Sequence, residues 1–189
     1  PMVDLSEFES ISPYTDEQAS EALGKLAHHP MVGQDSHYFF PEEAPDFLKN
    51  VLKRIKTIDE FQVLVMQRFV RWVLEHTATN FTYDGISNID PSKRFLALSN
   101  HRDIIMDPAI TQLVLHLNGI PMTEIAVGDN LITNKEIEYL IRSNRMIKVV
   151  RGISARELYL SSQLLSKYIR LNITEQRSSI WLAQRQGRT

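Results

Sequence analysis

In the second half of this 189-residue chain, short apolar segments alternate with segments that have the composition and caps of helices. Such alternation is typical of strands that pair in parallel and are joined by helical crossovers. Strands are predicted at 81–85, 94–99, 123–127, 146–150 and 179–183. The sequence therefore indicates an α/β fold with a mostly parallel sheet and crossover helices.

The first part of the chain is predicted to be a helical N-terminal region. Helices are expected at 15–28, 44–56 and 59–76, with a loop at 30–45 that contains Gly33 and Pro41. We therefore divide the chain into this helical region, 1–78, and an α/β domain, 79–189. Because the chain ends directly after a candidate site segment, we expect the α/β domain to be truncated at its C-terminus.

The predicted helix at 59–76 is apolar over a wide arc, which allows two interpretations. In the first, the helix packs into the core of the protein. In the second, it rests on a membrane surface. The neighbouring basic residues would then face the lipid headgroups: Lys49, Lys53, Arg54 and Lys56.

Composition excludes several classes of function. The formal net charge is −2, whereas a nucleic-acid-binding protein carries a basic surplus, so no nucleic-acid partner is expected. The chain has no cysteine, which excludes disulfides, a thiol nucleophile and Cys-ligated metals. It has no apolar run of about 18 residues, the length that would cross a bilayer. We predict no metal site and a cytoplasmic location.

A histidine and two carboxylates follow the apolar run at 95–98, where a buried strand is expected to end. Imidazole titrates near neutral pH, so His101 can take a proton from a hydroxyl. A neighbouring carboxylate, Asp107 or Asp103, can fix its tautomer. Asp107 also precedes Pro108, which suits the N-cap of the next helix, so both carboxylates remain candidates for the partner of the histidine.

Two more polar clusters, at 145–152 and 181–189, follow predicted strands. Because the carboxyl ends of parallel strands share one edge of a sheet, we expect Arg151 and Arg188 to lie near His101. A planar guanidinium suits phosphate, although a structural ion pair between Arg151 and Glu157 is the alternative. A base beside a phosphate clamp points to activation of a hydroxyl on a phosphorylated substrate.

The first cluster resembles a motif of the glycerolipid acyltransferases, which include glycerol-3-phosphate and 1-acylglycerol-3-phosphate acyltransferases. That family carries a histidine followed, after four intervening residues, by an aspartate. Asn100 and His101 match the start of the motif, but five residues separate His101 from Asp107. With no gap allowed, Met106 would take the place of the aspartate.

The other two clusters are similar to the second and third motifs of the same family. The second motif, roughly Gly-x-Ile-Phe-Ile-x-Arg, is matched by Ile147, Val149 and Arg151 and departs at Arg145 and Lys148. The third, Glu-Gly-Thr-Arg, is similar to Gln186-Gly187-Arg188, with an amide in place of the acid and one residue fewer. The order and separation of the three motifs resemble a divergent bacterial branch of the family.

The resemblance implies that a hydroxyl of glycerol-3-phosphate or a lysophospholipid attacks an acyl thioester of coenzyme A or acyl carrier protein, without a further cofactor. His101 would remove the proton, and Asp107, or else Asp103, would hydrogen-bond the other ring nitrogen. Backbone N–H groups at 108–110 would stabilise the oxyanion. The expected substrate-binding residues are Asn100, Arg102, Arg151, Arg188, Gly187 and Gln186.

Two broader expectations complete this interpretation. The protein would act in phospholipid biosynthesis, in the cytoplasm or peripherally at the inner face of the cytoplasmic membrane. The alternative is a non-catalytic lipid- or membrane-binding module derived from the same fold. Gln186 in place of the acid and the inserted residue before Asp107 favour that alternative.

Overall fold

The structure is a computed structural model that describes residues 2–151 and 154–184. A π-helical turn, Gln62–Met66, joins α4 to α5. The helices are α1 Asp16–Leu26, α2 Met31–Phe39, α3 Phe47–Arg54, α4 Ile58–Phe61, α5 Gln67–Thr77, α6 Met106–Leu117, α7 Lys135–Ser143 and α8 Ala155–Thr174. The strands are β1 Leu96–Ser99, β2 Glu124–Gly128, β3 Met146–Val149 and β4 Ile180–Ala183.

The four strands form one sheet in the order β1-β4-β2-β3, and every neighbouring pair is parallel. In this register Trp181 lies opposite Ala97 on one side and Ile125 on the other. Helices connect successive strands, and α1 to α5 precede the sheet. The predicted α/β fold, with a parallel sheet and a helical N-terminal region, is confirmed.

Two local predictions were wrong. Residues 81–85 do not form a strand: Phe81 and Tyr83 are exposed and contact each other, with ring centroids 6.0 Å apart, and no strand pairs with them. The loop predicted at 30–45 contains α2, because Val32 packs into the core of the helical region and Ser36 is buried. Tertiary packing thus overrides the weak helix propensity of Gly33.

The helices of the N-terminal region share one apolar core that includes Leu23, Leu52, Ile55, Phe61 and Val65. The apolar side of the segment 58–77 therefore points inward, which favours the core interpretation of that helix. The four basic residues Lys49, Lys53, Arg54 and Lys56 are exposed. Among the described residues, no helix is both long and apolar enough to cross a membrane.

The start of the chain packs against one face of the sheet. Phe8 and Ile11 are buried with Ile147, Tyr168 and Ile180. The N–H of Lys148 donates to the carbonyl of Ile11 over 2.9 Å, which ties the N-terminal segment to the edge strand β3. Because successive strand residues face opposite sides, Trp181 points to the other face, where α5 and α6 leave room for a cavity.

Candidate active site

His101 and Asp107 are brought together by the turn that follows β1. His101 Nδ1 lies 3.3 Å from Asp107 Oδ2, and the two side chains are 23% and 28% exposed. A carboxylate oxygen accepts hydrogen bonds, so Nδ1 carries the proton that it donates to Asp107. The second ring nitrogen, Nε2, is then unprotonated and able to accept a proton.

Asp107 is itself held by the turn that it closes. Its Oδ2 atom also accepts the backbone N–H groups of Arg102, at 2.7 Å, and Asp103, at 2.9 Å. These bonds fix the carboxylate relative to the segment that carries His101. The orientation of the imidazole therefore depends on a short, locally closed loop.

Asp103 takes the capping role that the sequence assigned to Asp107. Its Oδ1 atom accepts the N–H groups of Met106, at 2.8 Å, and Ile105, at 2.9 Å, at the start of α6. These bonds hold the pKa of Asp103 below its usual value. Since α6 begins at Met106, Asp107 lies inside the first turn and its side chain is free to contact His101.

The oxyanion donors predicted at 108–110 are not supported. Pro108 has no N–H, and the N–H of Ala109 already donates to the carbonyl of Ile105 over 3.3 Å. The N–H of Asp107 likewise donates to the carbonyl of Asp103 over 3.3 Å. The opening of α6 is satisfied by its own loop, so these groups are not available to a ligand.

His101 lies on the wall of a cavity of about 740 Å³ at the carboxyl edge of the sheet. The polar part of the wall comes from His101, Asn130, Arg151 and Gln184. The larger apolar part includes Met66, Val70, Ile104, Ile105, Met122, Leu131, Ile141 and Leu182. Helical residues 62, 66, 67 and 70 form one side, so the N-terminal region completes this cavity.

Arg151 reaches the cavity across Gly128, the last residue of β2. A Cβ atom at Gly128 would lie 2.7 Å from Arg151 Nε, so the side chain needs a glycine there. The N–H of Arg151 donates to Asp129 Oδ1 over 3.1 Å. Glu157 is used elsewhere, because it and Ser154 form a reciprocal cap at the start of α8. No salt bridge between Arg151 and Glu157 is found in the described part of the chain.

The remaining predicted site residues are placed differently. Asn100 and Arg102 are exposed and do not line the cavity, although the backbone N–H of Arg102 holds Asp107. Gln186, Gly187 and Arg188 lie outside the described residues. Arg145 and Lys148, where the sequence departs from the second family motif, bind Asp59 and Glu138 respectively.

Trp181 is a site residue that sequence reasoning did not single out. Its buried ring lies edge-on to the imidazole of His101, with centroids 6.1 Å apart. This contact limits how far the imidazole can turn away from Asp107. The available signal was an aromatic residue in the strand that pairs with the one leading to the histidine.

Glu124 is a second residue that the sequence analysis missed, and it lies at the opposite edge of the sheet. It is 8% exposed; Tyr168 donates its hydroxyl to Oε1 over 2.7 Å, and Oε2 has no hydrogen-bond partner among the described residues. Burial raises the pKa of Glu124 to about 7, against the opposing effect of the Tyr168 hydrogen bond. The signal was an acidic residue at the start of an apolar strand.

Comparison with known proteins adds no assignment. The sequence matches no protein-family model, and no curated protein matches it significantly. Within the described ranges, no three His, Cys, Asp or Glu side chains are grouped so that they could hold a metal ion. The interpretation of the site therefore rests on its own geometry.

Proposed function

We propose that this protein is an acyltransferase. It moves a fatty acyl group from acyl-coenzyme A or acyl carrier protein to the hydroxyl of glycerol-3-phosphate or a lysophosphatidate, in phospholipid biosynthesis. The observation that carries this proposal is the His101–Asp107 pair on the wall of a largely apolar cavity that Arg151 also lines. The resemblance to glycerolipid acyltransferase motifs supports the same choice.

The chemistry requires one proton transfer in each direction. Nε2 of His101 removes the hydroxyl proton of the acceptor, while Nδ1 donates to Asp107, whose negative charge stabilises the imidazolium. The hydroxyl oxygen attacks the thioester carbonyl, and the carbon–sulfur bond breaks as the ester forms. The departing thiolate takes the proton back from His101. The transfer is direct and needs no nucleophilic side chain.

The cavity matches the two chemical ends of such substrates. Its volume of about 740 Å³ is typical of pockets that enclose a small-molecule ligand. The apolar wall suits a fatty acyl chain, and the guanidinium of Arg151 suits the acceptor phosphate. Exposed Ile104 and Ile105 lie beside the histidine and suit contact with a lipid surface, in keeping with peripheral action at the inner face of the cytoplasmic membrane.

The proposal is tested by following the release of free coenzyme A thiol from acyl-coenzyme A with a panel of acceptors. The protein has no cysteine, so a thiol reagent reports only the product. We expect turnover with glycerol-3-phosphate or a lysophosphatidate and none with glycerol. His101→Ala should lower the rate about 100- to 10,000-fold, the usual contribution of a general base.

The matched control is His37→Ala, which removes an exposed histidine of α2 that is remote in sequence from the site. It should leave the rate unchanged. A His101→Ala rate within a few-fold of the parent would contradict the assignment of the base. If the parent protein binds acyl-coenzyme A but releases no thiol with either donor carrier, the non-catalytic lipid-binding module is the better description.

A further inference from the structure

The amino edge of the sheet has a second polar cavity, with a volume of about 210 Å³. An arginine comes shortly before three of the four strands: Arg94 before β1, Arg145 before β3 and Arg177 before β4. Since the strands are parallel, their amino ends meet at one edge, and all three arginines line this cavity. His116, from the last turn of α6, lies on the same wall.

The positive charge of this cavity is only partly balanced. Asp59 lines it and forms a salt bridge with Arg145, whose Nε also donates to Gln62 Oε1 over 2.7 Å. Arg94 and Arg177 form no salt bridge among the residues that the structure describes. The buried carboxyl of Glu124 does not bind them either, because its Oε2 accepts no hydrogen bond there.

Local bonds hold the arginines in place before any ligand arrives. Arg94 Nε donates to the carbonyl of Arg177 over 3.4 Å, and the N–H of Arg94 donates to Gln176 Oε1 over 3.0 Å. Arg145 and Gln176 both have left-handed backbones, with φ of 59° and 52°. Glycine is the usual residue at such helix-end positions, yet here each side chain supports the cavity.

We propose that this cavity binds a phosphate monoester group through Arg94, Arg145 and Arg177. Guanidinium forks make paired, charge-assisted hydrogen bonds, and three of them match the three terminal oxygens of a phosphate monoester. The small cavity in a chain of net charge −2 does not suit an extended polyanion. The phosphate belongs either to a soluble ester or to the headgroup of an anionic lipid, and this site is separate from the His101 cavity.

Titration of the full-length ¹⁵N-labelled protein with inorganic phosphate and then glycerol-3-phosphate tests this site. We expect saturable shifts of the amide signals of Arg94, Arg177 and Ser178. Arg177→Gln removes an exposed guanidinium and should weaken binding about tenfold or more. Arg170→Gln, which removes an exposed charge from α8 outside the cavity, is the matched control and should not weaken it.

Shifts that fail to saturate, or that weaken equally in the Arg170→Gln protein, would overturn the proposal. Arg151→Gln, at the other edge, should leave these shifts unchanged. Because the readout is binding at named amides rather than acyl transfer, its failure is distinguishable from failure of the proposed activity.

Vesicles distinguish the two sources of the phosphate. Phosphatidic acid carries a phosphate monoester headgroup, whereas phosphatidylserine is anionic without one. Sedimentation with phosphatidic acid vesicles but not phosphatidylserine vesicles, lost in Arg177→Gln, identifies a lipid headgroup as the ligand. Saturable phosphate shifts without vesicle binding identify a soluble ester. If neither result is obtained, the site does not bind phosphate monoesters.

Discussion

The two edges of one small sheet have opposite polar characters. Strand β2 connects them: Glu124 begins it and Gly128 ends it, about 13 Å away at the usual rise of a strand. The carboxyl edge opens into a wide, mostly apolar cavity with one histidine–carboxylate pair. The amino edge has a smaller cavity with three guanidiniums beside a buried carboxyl. A short apolar strand is enough to separate two sites of different chemistry.

Two carboxyl groups show how environment produces that contrast. Backbone hydrogen bonds at the start of α6 lower the pKa of Asp103, which is exposed. Burial raises the pKa of Glu124 to about 7, despite its bond to Tyr168. The first group contributes to the local closure of a loop, and the second stores a proton in the core. Variants at each edge should therefore be read by different measurements.

The largest effect is expected from Asp107→Asn, measured as kcat/KM for acyl transfer. The amide can still accept the N–H groups of Arg102 and Asp103, but it loses the charge that stabilises the imidazolium and can stabilise the wrong tautomer. The expected loss is on the order of 100- to 10,000-fold. The melting temperature should change little.

Asp103→Asn is the matched control for that variant. Asparagine caps helices about as well as aspartate, so both α6 and the activity should be retained to within a few-fold. If Asp103→Asn instead proves the more damaging change, Asp103 is the functional partner of His101 and the assignment is reversed.

The next effect is a change in stability with pH from Glu124→Gln, measured by chemical unfolding. The ordinary pKa of 4.5 is raised to about 7 in the folded state, so between these values the folded protein holds a proton that the unfolded chain releases. The free energy of unfolding of the parent protein therefore falls as pH rises through this window.

Glutamine has no such proton to lose. Between pH 4 and pH 8 the variant should gain on the order of 3 kcal/mol relative to the parent. Glu75→Gln, an exposed change on α5, should gain almost nothing. Equal pH dependence in the parent and the Glu124→Gln protein would mean that Glu124 is not protonated in the folded state at neutral pH.

The smallest effect is expected from Arg151→Lys, which keeps the charge and loses the planar fork. The KM of the phosphorylated acceptor should rise about tenfold, and the KM of the acyl donor should stay nearly constant. Arg177→Gln should leave the acceptor KM unchanged, since it belongs to the other edge. Equal effects of Arg151→Lys on both substrates would remove Arg151 from the acceptor site and favour Arg188.

Most of the fold was predictable because local signals agree with the packing. The strands after residue 90 were placed within about two residues, since each is a compact apolar run between helices. Thr15 and Ser154 cap α1 and α8 as their spacing indicates. The false strand at 81–85 had the right pattern but no partner, and sequence pattern carries no information about pairing.

The candidate site was only partly predictable. His101, Asp107 and Arg151 lie near one another because they follow parallel strands, which the alternation already implied. The separate roles of Asp107 and Asp103 depend on the closure of a single turn, and both residues have a spacing compatible with either role. The arginines of the amino edge come from three distant loops, so only the strand order reveals them as a group.

The π-helical turn at Gln62–Met66 has a consequence for how insertions and deletions act on this protein. Such a turn contains one residue more than an α-helix would use. Removing one residue within it would restore a regular helix and rotate everything on one side of it by about 100°. Phe61 would then leave the helical core, or Val70 would leave the wall of the large cavity. This segment should therefore tolerate substitutions far better than changes in length.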